Sequence, residues 1–183
     1  MAETLRPSTV LPSKRELTKV ITEDGIELVV EVATPLNPSR GALLLCHPNP
    51  TGGGMMDSHV YKKAANRLPA LADLTIVRFN TRGTSSEQGT STGTYDQTKS
   101  EKYDVEAMVK FCLDKLKLEN LWVVGWSFGT ELTLKYARDS RLKGIILLSP
   151  PMMYTDVEEL KFWAEDGRPV LALVPEHRSE ERR

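Results

Sequence analysis

Hydrophobic and polar residues alternate in the first part of the chain, and the pattern then changes. Two partly alternating apolar runs, residues 17–21 and 26–32, are separated by Glu23-Asp24-Gly25. Alternation of this kind is typical of half-buried strands, and Asp-Gly between two such runs favours a tight turn. These residues therefore predict an antiparallel β-hairpin.

In the remainder of the chain, short apolar runs alternate with longer amphipathic segments. The runs are too short for helices and are apolar on both faces, which is typical of buried parallel strands; they comprise residues 42–46, 74–79, 121–125, 144–148 and 170–174. Apolar residues at helical spacing predict helices over 100–117 and 128–138, and a shorter helix over 156–165. Asp57 or Ser58 is suited to cap a further helix. This order predicts an α/β fold, a mostly parallel sheet with helices on both faces and the antiparallel hairpin at its N-terminal edge.

The composition argues against several classes of protein. The 183 residues include 24 Lys and Arg against 25 Asp and Glu, a net charge of −1, whereas nucleic-acid binders need a basic excess. No apolar run approaches the roughly 20 residues of a membrane span, and residues 1–16 have no apolar stretch typical of a signal peptide. Cys46 and Cys112 lie among apolar residues, which favours reduced cysteines in a cytoplasmic protein. We therefore expect no nucleic-acid or membrane partner.

Three parts of the chain differ in composition. Residues 1–14 are typical of a flexible N-terminal arm, residues 15–176 contain the predicted α/β core, and residues 177–183 form a charged tail. Within the core, residues 84–100 are rich in Thr, Ser and Gly, which favours a solvated surface loop. We therefore expect a single folded domain.

The segment Gly125-Trp126-Ser127-Phe128-Gly129 carries the strongest chemical signal. It matches G-x-S-x-G and lies between a predicted strand and a predicted helix. In that context the serine stands at the apex of a tight, strained turn, and the two glycines remove side chains that would clash there. Ser127 is the candidate nucleophile, and the backbone N–H of Phe128 is a candidate oxyanion donor. The alternative is a tight strand–helix turn that happens to contain a serine, and Trp126 is interpreted as a packing or pocket residue.

The segment His47-Pro48-Asn49-Pro50 follows the first predicted parallel strand, where a second oxyanion donor is needed. Proline has no N–H, so between the two prolines only Asn49 has a backbone N–H to donate. We expect His47 to shape this loop by hydrogen bonding. The glycines at 52–54 lack the spacing of a phosphate-binding loop, and the G-x-G-x-x-G of a dinucleotide-binding domain is absent here.

Together these motifs resemble the α/β-hydrolase superfamily, and most closely its small esterase-like branch with a His-Pro-x-Pro oxyanion loop. The resemblance spans residues 15–176. Residues 77–83 are similar to the superfamily's strand that ends in an Arg-Gly turn. Residues 147–151 are similar to its strand after the helix that follows the nucleophilic serine. The resemblance implies acyl-transfer chemistry with a catalytic Ser, acid and His in that chain order. We expect no cofactor and no metal site.

The resemblance breaks after residue 174. The superfamily's last strand, last helix and catalytic histidine have no counterpart, so we expect that the chain is truncated at its C-terminus. His177 is the remaining candidate base, although a base must be held by a third group within hydrogen-bond reach. Glu176 and Asp156 are candidate acids, and a solvated surface carboxylate is the alternative interpretation of both.

A missing last strand would affect assembly. Residues 170–174 would then form a sheet edge with unpaired backbone N–H and C=O groups. A hydrophobic edge of this kind favours pairing with another chain. We therefore expect marginal stability, or a homodimer formed through this edge.

Two functions remain open from the sequence. The first is a serine hydrolase in which Ser127 attacks the carbonyl of a small ester, thioester or amide substrate, and water then releases the acyl group. The second is a catalytically inactive hydrolase-fold protein that binds a ligand or a protein partner, which the absent family histidine favours. Residues 149–169 have room for one short helix, so we expect no lid over the site.

Overall fold

A seven-stranded sheet forms the centre of the computed structural model, which describes Arg6 and residues 9–175. The strands are β1 (Lys14–Ile21), β2 (Glu27–Thr34), β3 (Gly41–Cys46), β4 (Leu74–Phe79), β5 (Ser85–Ser86), β6 (Gly89–Thr90), β7 (Leu121–Trp126), β8 (Gly144–Leu148) and β9 (Val170–Leu173). β5 and β6 form a separate two-stranded ribbon, and the order of the other strands in the sheet is β1-β2-β4-β3-β7-β8-β9. Within this seven-stranded sheet, β2 is antiparallel to both β1 and β4, and every other neighbouring pair is parallel. The predicted hairpin and parallel sheet are confirmed.

Helices cover both faces of the sheet, as predicted. They are α1 (His59–Ala72), α2 (Glu101–Lys110), α3 (Phe128–Tyr136) and α4 (Val157–Asp166), with a 3₁₀ turn at Pro50–Gly52 and a π-helical turn at Phe111–Lys115 that continues α2. Tyr61 of α1 packs in a smaller apolar cluster on one face, and Met108 of α2 and Leu132 of α3 in a larger cluster on the other. In β3, Leu44 joins the larger cluster and Leu45 the smaller, so consecutive side chains bury opposite faces.

The start of α1 differs in detail from the predicted cap. Ser58 occupies the N-cap position, but its Oγ accepts the Met55 N–H at 3.1 Å rather than an N–H of the helix. Asp57 instead pairs with the buried Arg78 guanidinium at 2.7 Å. Before β1, the Leu11 N–H donates to the Asn66 carbonyl of α1 at 2.8 Å.

The segment 84–100 is only partly the solvated loop that its composition predicts. Ser91 is buried, and its Oγ accepts the Val29 N–H at 2.9 Å. The Thr92 Oγ1 accepts the Glu27 N–H at 2.8 Å. The pairing of β2 with β4 ends at Phe79, so these hydroxyls satisfy backbone groups of β2 that β4 no longer reaches.

The strand predicted at 170–174 forms. The burial that its apolar pattern predicts is wrong, whereas the sheet edge that was also expected here is what the described residues show. All four residues of β9 are exposed. β9 pairs with β8 on one side, and it is the last strand in the order of the sheet. Its apolar composition therefore does not reflect burial within the described part of the chain.

Candidate active site

Ser127 occupies the turn between β7 and α3 in a strained backbone conformation. Its φ is 51° and its ψ is −118°, a region that non-glycine residues rarely adopt. The Ser127 N–H donates to the Leu148 carbonyl at 2.9 Å. The N–H of Thr130 and its Oγ1 donate to the Ser127 carbonyl at 2.9 and 2.6 Å. Both peptide groups of the serine are thus held, and its half-buried side chain stands at the carboxyl end of the sheet.

At both glycines of the motif, an added Cβ would clash with neighbouring backbone atoms. A Cβ on Gly125 would lie 2.4 Å from the Gly129 carbonyl oxygen. A Cβ on Gly129 would lie 1.9 Å from the Cys46 carbonyl oxygen and 2.8 Å from that of His47. These contacts bring the first turn of α3 directly against the end of β3. The serine turn and the predicted oxyanion loop are therefore neighbours.

Asn49 and Phe128 present backbone N–H groups in this region. Phe128 is the first residue of α3, where N–H groups have no acceptor within the helix and carry partial positive charge. The Asn49 N–H donates to no acceptor within residues 9–175. The Asn49 side chain faces the following turn, since its Oδ1 accepts the Thr51 N–H at 3.0 Å and the Thr51 hydroxyl at 2.9 Å. Two backbone donors thus remain available on the two sides of the serine turn.

His47 is fully buried beneath this loop. The Thr81 N–H donates to its Nε2 at 3.0 Å, so the ring proton lies on Nδ1, which donates to the Pro48 carbonyl at 2.7 Å. Burial lowers the pKa of His47 to about 4. His47 is therefore a neutral residue that ties the loop after β3 to the loop after β4, and both of its ring nitrogens are occupied.

Arg82 and Asp104 anchor the loop after β4 from the other side. The Asp104 carboxylate accepts the Arg82 backbone N–H at 2.8 Å and the guanidinium at 2.8 and 3.0 Å. Asp24 accepts the guanidinium at 2.8 Å from the hairpin turn. Burial raises the pKa of Asp104 to about 6, and the bonds from Arg82 oppose this effect. The loop that positions Thr81 against His47 is thus fixed by a buried ion pair.

Tyr61 is a contributor that the sequence did not single out. Its buried hydroxyl lies 3.0 Å from the Cys46 carbonyl and 3.1 Å from the Val124 carbonyl, and it donates to this pair. Burial raises the pKa of the phenol well above its usual value, so the hydroxyl stays protonated. Tyr61 therefore ties the ends of β3 and β7 to α1. A tyrosine in the first turn of a helix carries no sequence signal for this contact.

Trp126 and His59 pack together beside the serine turn. Their ring centroids are 5.2 Å apart in an edge-on arrangement, and the Trp126 ring also meets Tyr61 at 5.9 Å. His59 is exposed at the start of α1. On the other side, Phe128 packs edge-on against Tyr95 at 5.3 Å and Tyr154 at 6.3 Å. Aromatic rings thus flank the Ser127 turn on both sides.

Glu131 is a buried carboxylate that the sequence analysis missed. It lies on α3 and accepts the Met153 N–H at 2.6 Å, and the Thr155 hydroxyl also donates to it. Glu131 therefore holds the loop between β8 and α4 against the elbow helix. Its partners are 22 and 24 residues away in sequence, so no local pattern indicates the pairing.

Of the predicted acids and base, the structure describes Asp156 alone. Asp156 is the N-cap of α4, its side chain is 82% exposed, and its N–H donates to the Glu159 carboxylate at 2.6 Å. This placement favours a helix-capping role. Glu176 and His177 lie outside the described residues. Among the residues that the structure describes, no histidine is hydrogen-bonded to Ser127.

Within residues 9–175, no group of three or more His, Cys, Asp or Glu side chains is arranged to hold a metal ion. No helix in the described part of the chain is long and apolar enough to cross a membrane.

Comparisons with known structures agree on the fold. An α/β serine hydrolase without a lid from Xanthomonas campestris is 23% identical, with a TM-score of 0.70 over 92% of this chain and 87% of that one. An alpha-beta serine hydrolase homologue from Coxiella burnetii is 28% identical, with a TM-score of 0.67 over 86% and 72%. An esterase from Pyrococcus furiosus is 16% identical, with a TM-score of 0.70 over 92% and 76%. These likenesses show that the fold is the one shared by these proteins.

The sequence comparisons give the family. No curated protein matches the chain. The sequence model of the alpha/beta hydrolase fold matches residues 41–180, which include the His47 loop, the Arg82 turn and the Ser127 elbow. The chain therefore belongs to the α/β-hydrolase fold family.

Proposed function

We propose that this protein is a serine hydrolase that cleaves a carboxylic ester, thioester or amide. The observation that carries the proposal is the Ser127 turn, which is strained at φ 51° and ψ −118° and in which α3 closes against the end of β3 at Gly129. Strain of this kind persists where the surroundings over-determine it, and it raises the side chain out of the sheet toward a substrate. Ser127 Oγ attacks the carbonyl carbon and loses its proton to a base. The leaving group then takes a proton, and water hydrolyses the acyl-enzyme.

Backbone N–H groups supply the electrostatic part of the mechanism. In the proposal, the N–H groups of Phe128 and Asn49 hold the oxyanion that forms when the carbonyl becomes tetrahedral. Each such donor typically contributes about 2.7–4 kcal/mol to the transition state. Support comes from the position of Phe128 at the N-terminus of α3 and from the Asn49 N–H, which has no acceptor within residues 9–175.

The base and the acid complete the proposal. We assign His177 as the base, with Glu176 or Asp156 as the acid that orients it. His47 is unsuited because both of its ring nitrogens are bonded and its pKa is lowered to about 4. Replacing His177 by Ala is expected to remove activity, and replacing the exposed His59 by Ala is its matched control. Loss with His59→Ala instead would move the assignment of the base to α1.

The proposed substrates are small acyl compounds handled in the cytoplasm. Between Ser149 and Pro169 the chain forms only α4, so the proposed site has no inserted lid and stays open. An open site suits short or exposed acyl groups better than long lipids. The two cysteines are free and buried, which supports a reducing compartment.

Labelling with a fluorophosphonate probe, measured by intact mass, tests the nucleophile. The probe phosphonylates an activated serine, so the wild-type protein is expected to gain one adduct and Ser127→Ala none. Ser149→Ala is the matched control, because Ser149 also follows a parallel strand with a φ of 51°. Ser149→Ala should label as the wild type does. Labelling that survives in Ser127→Ala would contradict the proposal.

A second candidate function is a hydrolase-fold protein that binds a ligand or protein partner without turnover. One observation favours it, since no histidine in residues 9–175 is hydrogen-bonded to Ser127. The same labelling experiment separates the two functions. Folded wild-type protein that gains no adduct would support binding without catalysis.

A further inference from the structure

The loop between β3 and α1 carries Asn49, the second proposed oxyanion donor, just before three successive glycines. A Cβ added at Gly52 or Gly53 would meet nothing within 4 Å, so side-chain packing does not hold these residues. Glycines also leave the backbone more conformational freedom than other residues do. An oxyanion donor contributes to catalysis when it is already aimed at the charge that develops. The loop must therefore be fixed from outside its glycines.

Hydrogen bonds and close packing connect Asn49 to Met56 along this loop. The Asn49 carbonyl accepts the N–H groups of Gly52 at 3.1 Å and Gly54 at 2.9 Å. A Cβ on Gly54 would lie 2.1 Å from the Pro48 carbonyl oxygen, so the chain folds tightly back on itself here. Met56 follows two residues after Gly54 and is fully buried. The position at which Met56 is held therefore affects the position of Asn49.

Two residues at the end of β4 hold the backbone of Met56. The Met56 N–H donates to the Asn80 Oδ1 at 3.0 Å, and the Met56 carbonyl accepts the Arg78 guanidinium at 2.9 Å. Arg78 also pairs with the carboxylates of Glu31 and Asp57, which are largely buried. Because the loss of Arg78 would take a cation from both carboxylates, it would destabilise the whole protein. Asn80 is neutral, so its contact with the loop is the one that substitution isolates.

Asn80 is fully buried, and each of its polar groups is hydrogen-bonded. Its Nδ2 donates to the Ser86 hydroxyl at 2.9 Å and to the Gly89 carbonyl at 3.1 Å, both in the β5–β6 ribbon. Its backbone N–H donates to the Val29 carbonyl at 3.0 Å, and its carbonyl accepts the Ser91 hydroxyl at 2.8 Å. Asn80 therefore ties the loop after β3 to the ribbon and to β2.

An amide side chain satisfies both sets of neighbours at once. Its oxygen accepts the Met56 N–H while its nitrogen donates to the Gly89 carbonyl, and these two partners settle the orientation of the amide. A carboxylate at position 80 keeps the acceptor but has no N–H for Gly89. A leucine has neither group, so it would leave both backbone partners unpaired.

We propose that Asn80 is a positioning residue that fixes the loop after β3, so that the Asn49 N–H meets the oxyanion. This inference rests on the proposed function, because the loop serves the attack of Ser127 on a carbonyl. Asn80 is fully buried, so it acts through Met56 rather than by contact with the substrate. The oxyanion forms in the transition state and not in the bound substrate. Loss of the Asn80 side chain therefore lowers kcat and leaves KM unchanged.

Hydrolysis of p-nitrophenyl acetate by Asn80→Leu tests the proposal, with kcat and KM measured separately. Displacement of a catalytic group by about 1 Å costs about 100-fold in rate, so we expect kcat to fall about 10- to 100-fold. KM should stay within about twofold of the wild-type value. Asn80→Asp keeps the acceptor for Met56 but loses the N–H groups that anchor it to the ribbon. Its kcat should fall by less, at least about threefold.

Ser91→Ala is the matched control for both variants. Ser91 is also buried and its hydroxyl binds Asn80 and Val29, whereas within residues 9–175 it binds no group of the loop after β3. Its kcat and KM should equal those of the wild type, although its free energy of unfolding should fall. Circular dichroism shows which variants fold, and Asn80→Asp, which has almost the shape of the amide, serves where Asn80→Leu does not.

Three results would overturn the role of Asn80. They are a wild-type kcat in either folded variant, a loss that appears in KM instead, and an equal loss of kcat in Ser91→Ala. Failure of the proposed function gives a different result. In that case the wild type itself would hydrolyse no ester and take no fluorophosphonate adduct, and the inference would be overturned with it.

Discussion

Two neighbouring strands of this sheet are each followed by a serine with a positive φ. Ser127 follows β7, Ser149 follows β8, and both have a φ of 51°. Around Ser127, Gly129 closes against the Cys46 carbonyl, which leaves no room for even a methyl group. Around Ser149, the N–H donates to the Leu173 carbonyl at 2.8 Å, on a strand whose residues are all exposed.

The difference shows which contacts, besides a positive φ, indicate that a serine is a nucleophile. A positive φ is found at both strand ends, so it does not by itself identify a nucleophile. The end of β7 is held from several directions, by α3, by the buried His47 loop and by the Tyr61 hydroxyl. The end of β8 depends on the exposed strand β9. Strain held by several independent contacts is typical of functional sites.

Replacing Gly129 by Ala is expected to lower the free energy of unfolding more than any other change considered for the two strand ends. The added Cβ would lie 1.9 Å from a backbone oxygen of β3, which no side-chain movement relieves. We expect a loss of more than about 4 kcal/mol in the free energy of unfolding, because core overpacking of this severity is exceptional. Urea unfolding followed by circular dichroism measures it.

Gly52→Ala is the matched control for that variant. Gly52 lies in the loop after β3, and a Cβ there would meet nothing within 4 Å. Its midpoint of unfolding should stay close to that of the wild type. If Gly129→Ala were as stable as Gly52→Ala, the close approach of α3 to β3 would be wrong.

The sequence was sufficient for the features that depend on local patterns. Runs such as 42–46 and 121–125 predicted strands because a buried parallel strand is apolar on both faces. The Ser127 turn was predicted because its glycines and its position between a strand and a helix are both visible in the sequence. Fold and turn therefore followed from short segments of chain.

The remaining features depend on pairings between distant segments. The Tyr61 hydroxyl reaches a carbonyl 63 residues away, and Glu131 binds a loop 24 residues away. Residue types alone do not indicate which of many polar groups will meet. The exposure of β9 is not visible in its own apolar run, because such a run shows what a strand is able to bury but not whether a neighbour covers it. It was expected only from the break in the family resemblance after residue 174.

Replacing His47 by Gln is expected to change the free energy of unfolding by an intermediate amount that depends on pH. Burial lowers the folded pKa of His47 to about 4, below the unfolded value of about 6.5. The unfolded state therefore binds more protons as the pH falls, so the stability is fully present above pH 6.5 and is lost toward pH 4. Between pH 7 and pH 5 we expect the wild type to lose about 2 kcal/mol relative to His47→Gln.

The measurement is the difference in unfolding free energy between the two proteins at each pH. Taking the difference removes groups that both proteins share, such as Asp104, whose raised pKa has the opposite effect in this range. A difference that does not change between pH 7 and pH 5 would show that His47 is solvated rather than locked beneath the loop.

Replacing Leu171 by Ala is expected to lower the free energy of unfolding least. The same substitution at Leu44, in the core, serves as the comparison. Leu44 is fully buried in β3, and deleting such a side chain costs about 2–5 kcal/mol. Leu171 is 50% exposed at the open edge, so its loss should cost the monomer less than about 1 kcal/mol. Both changes are measured by urea unfolding of the full chain. Equal costs would contradict the exposure of Leu171 in β9.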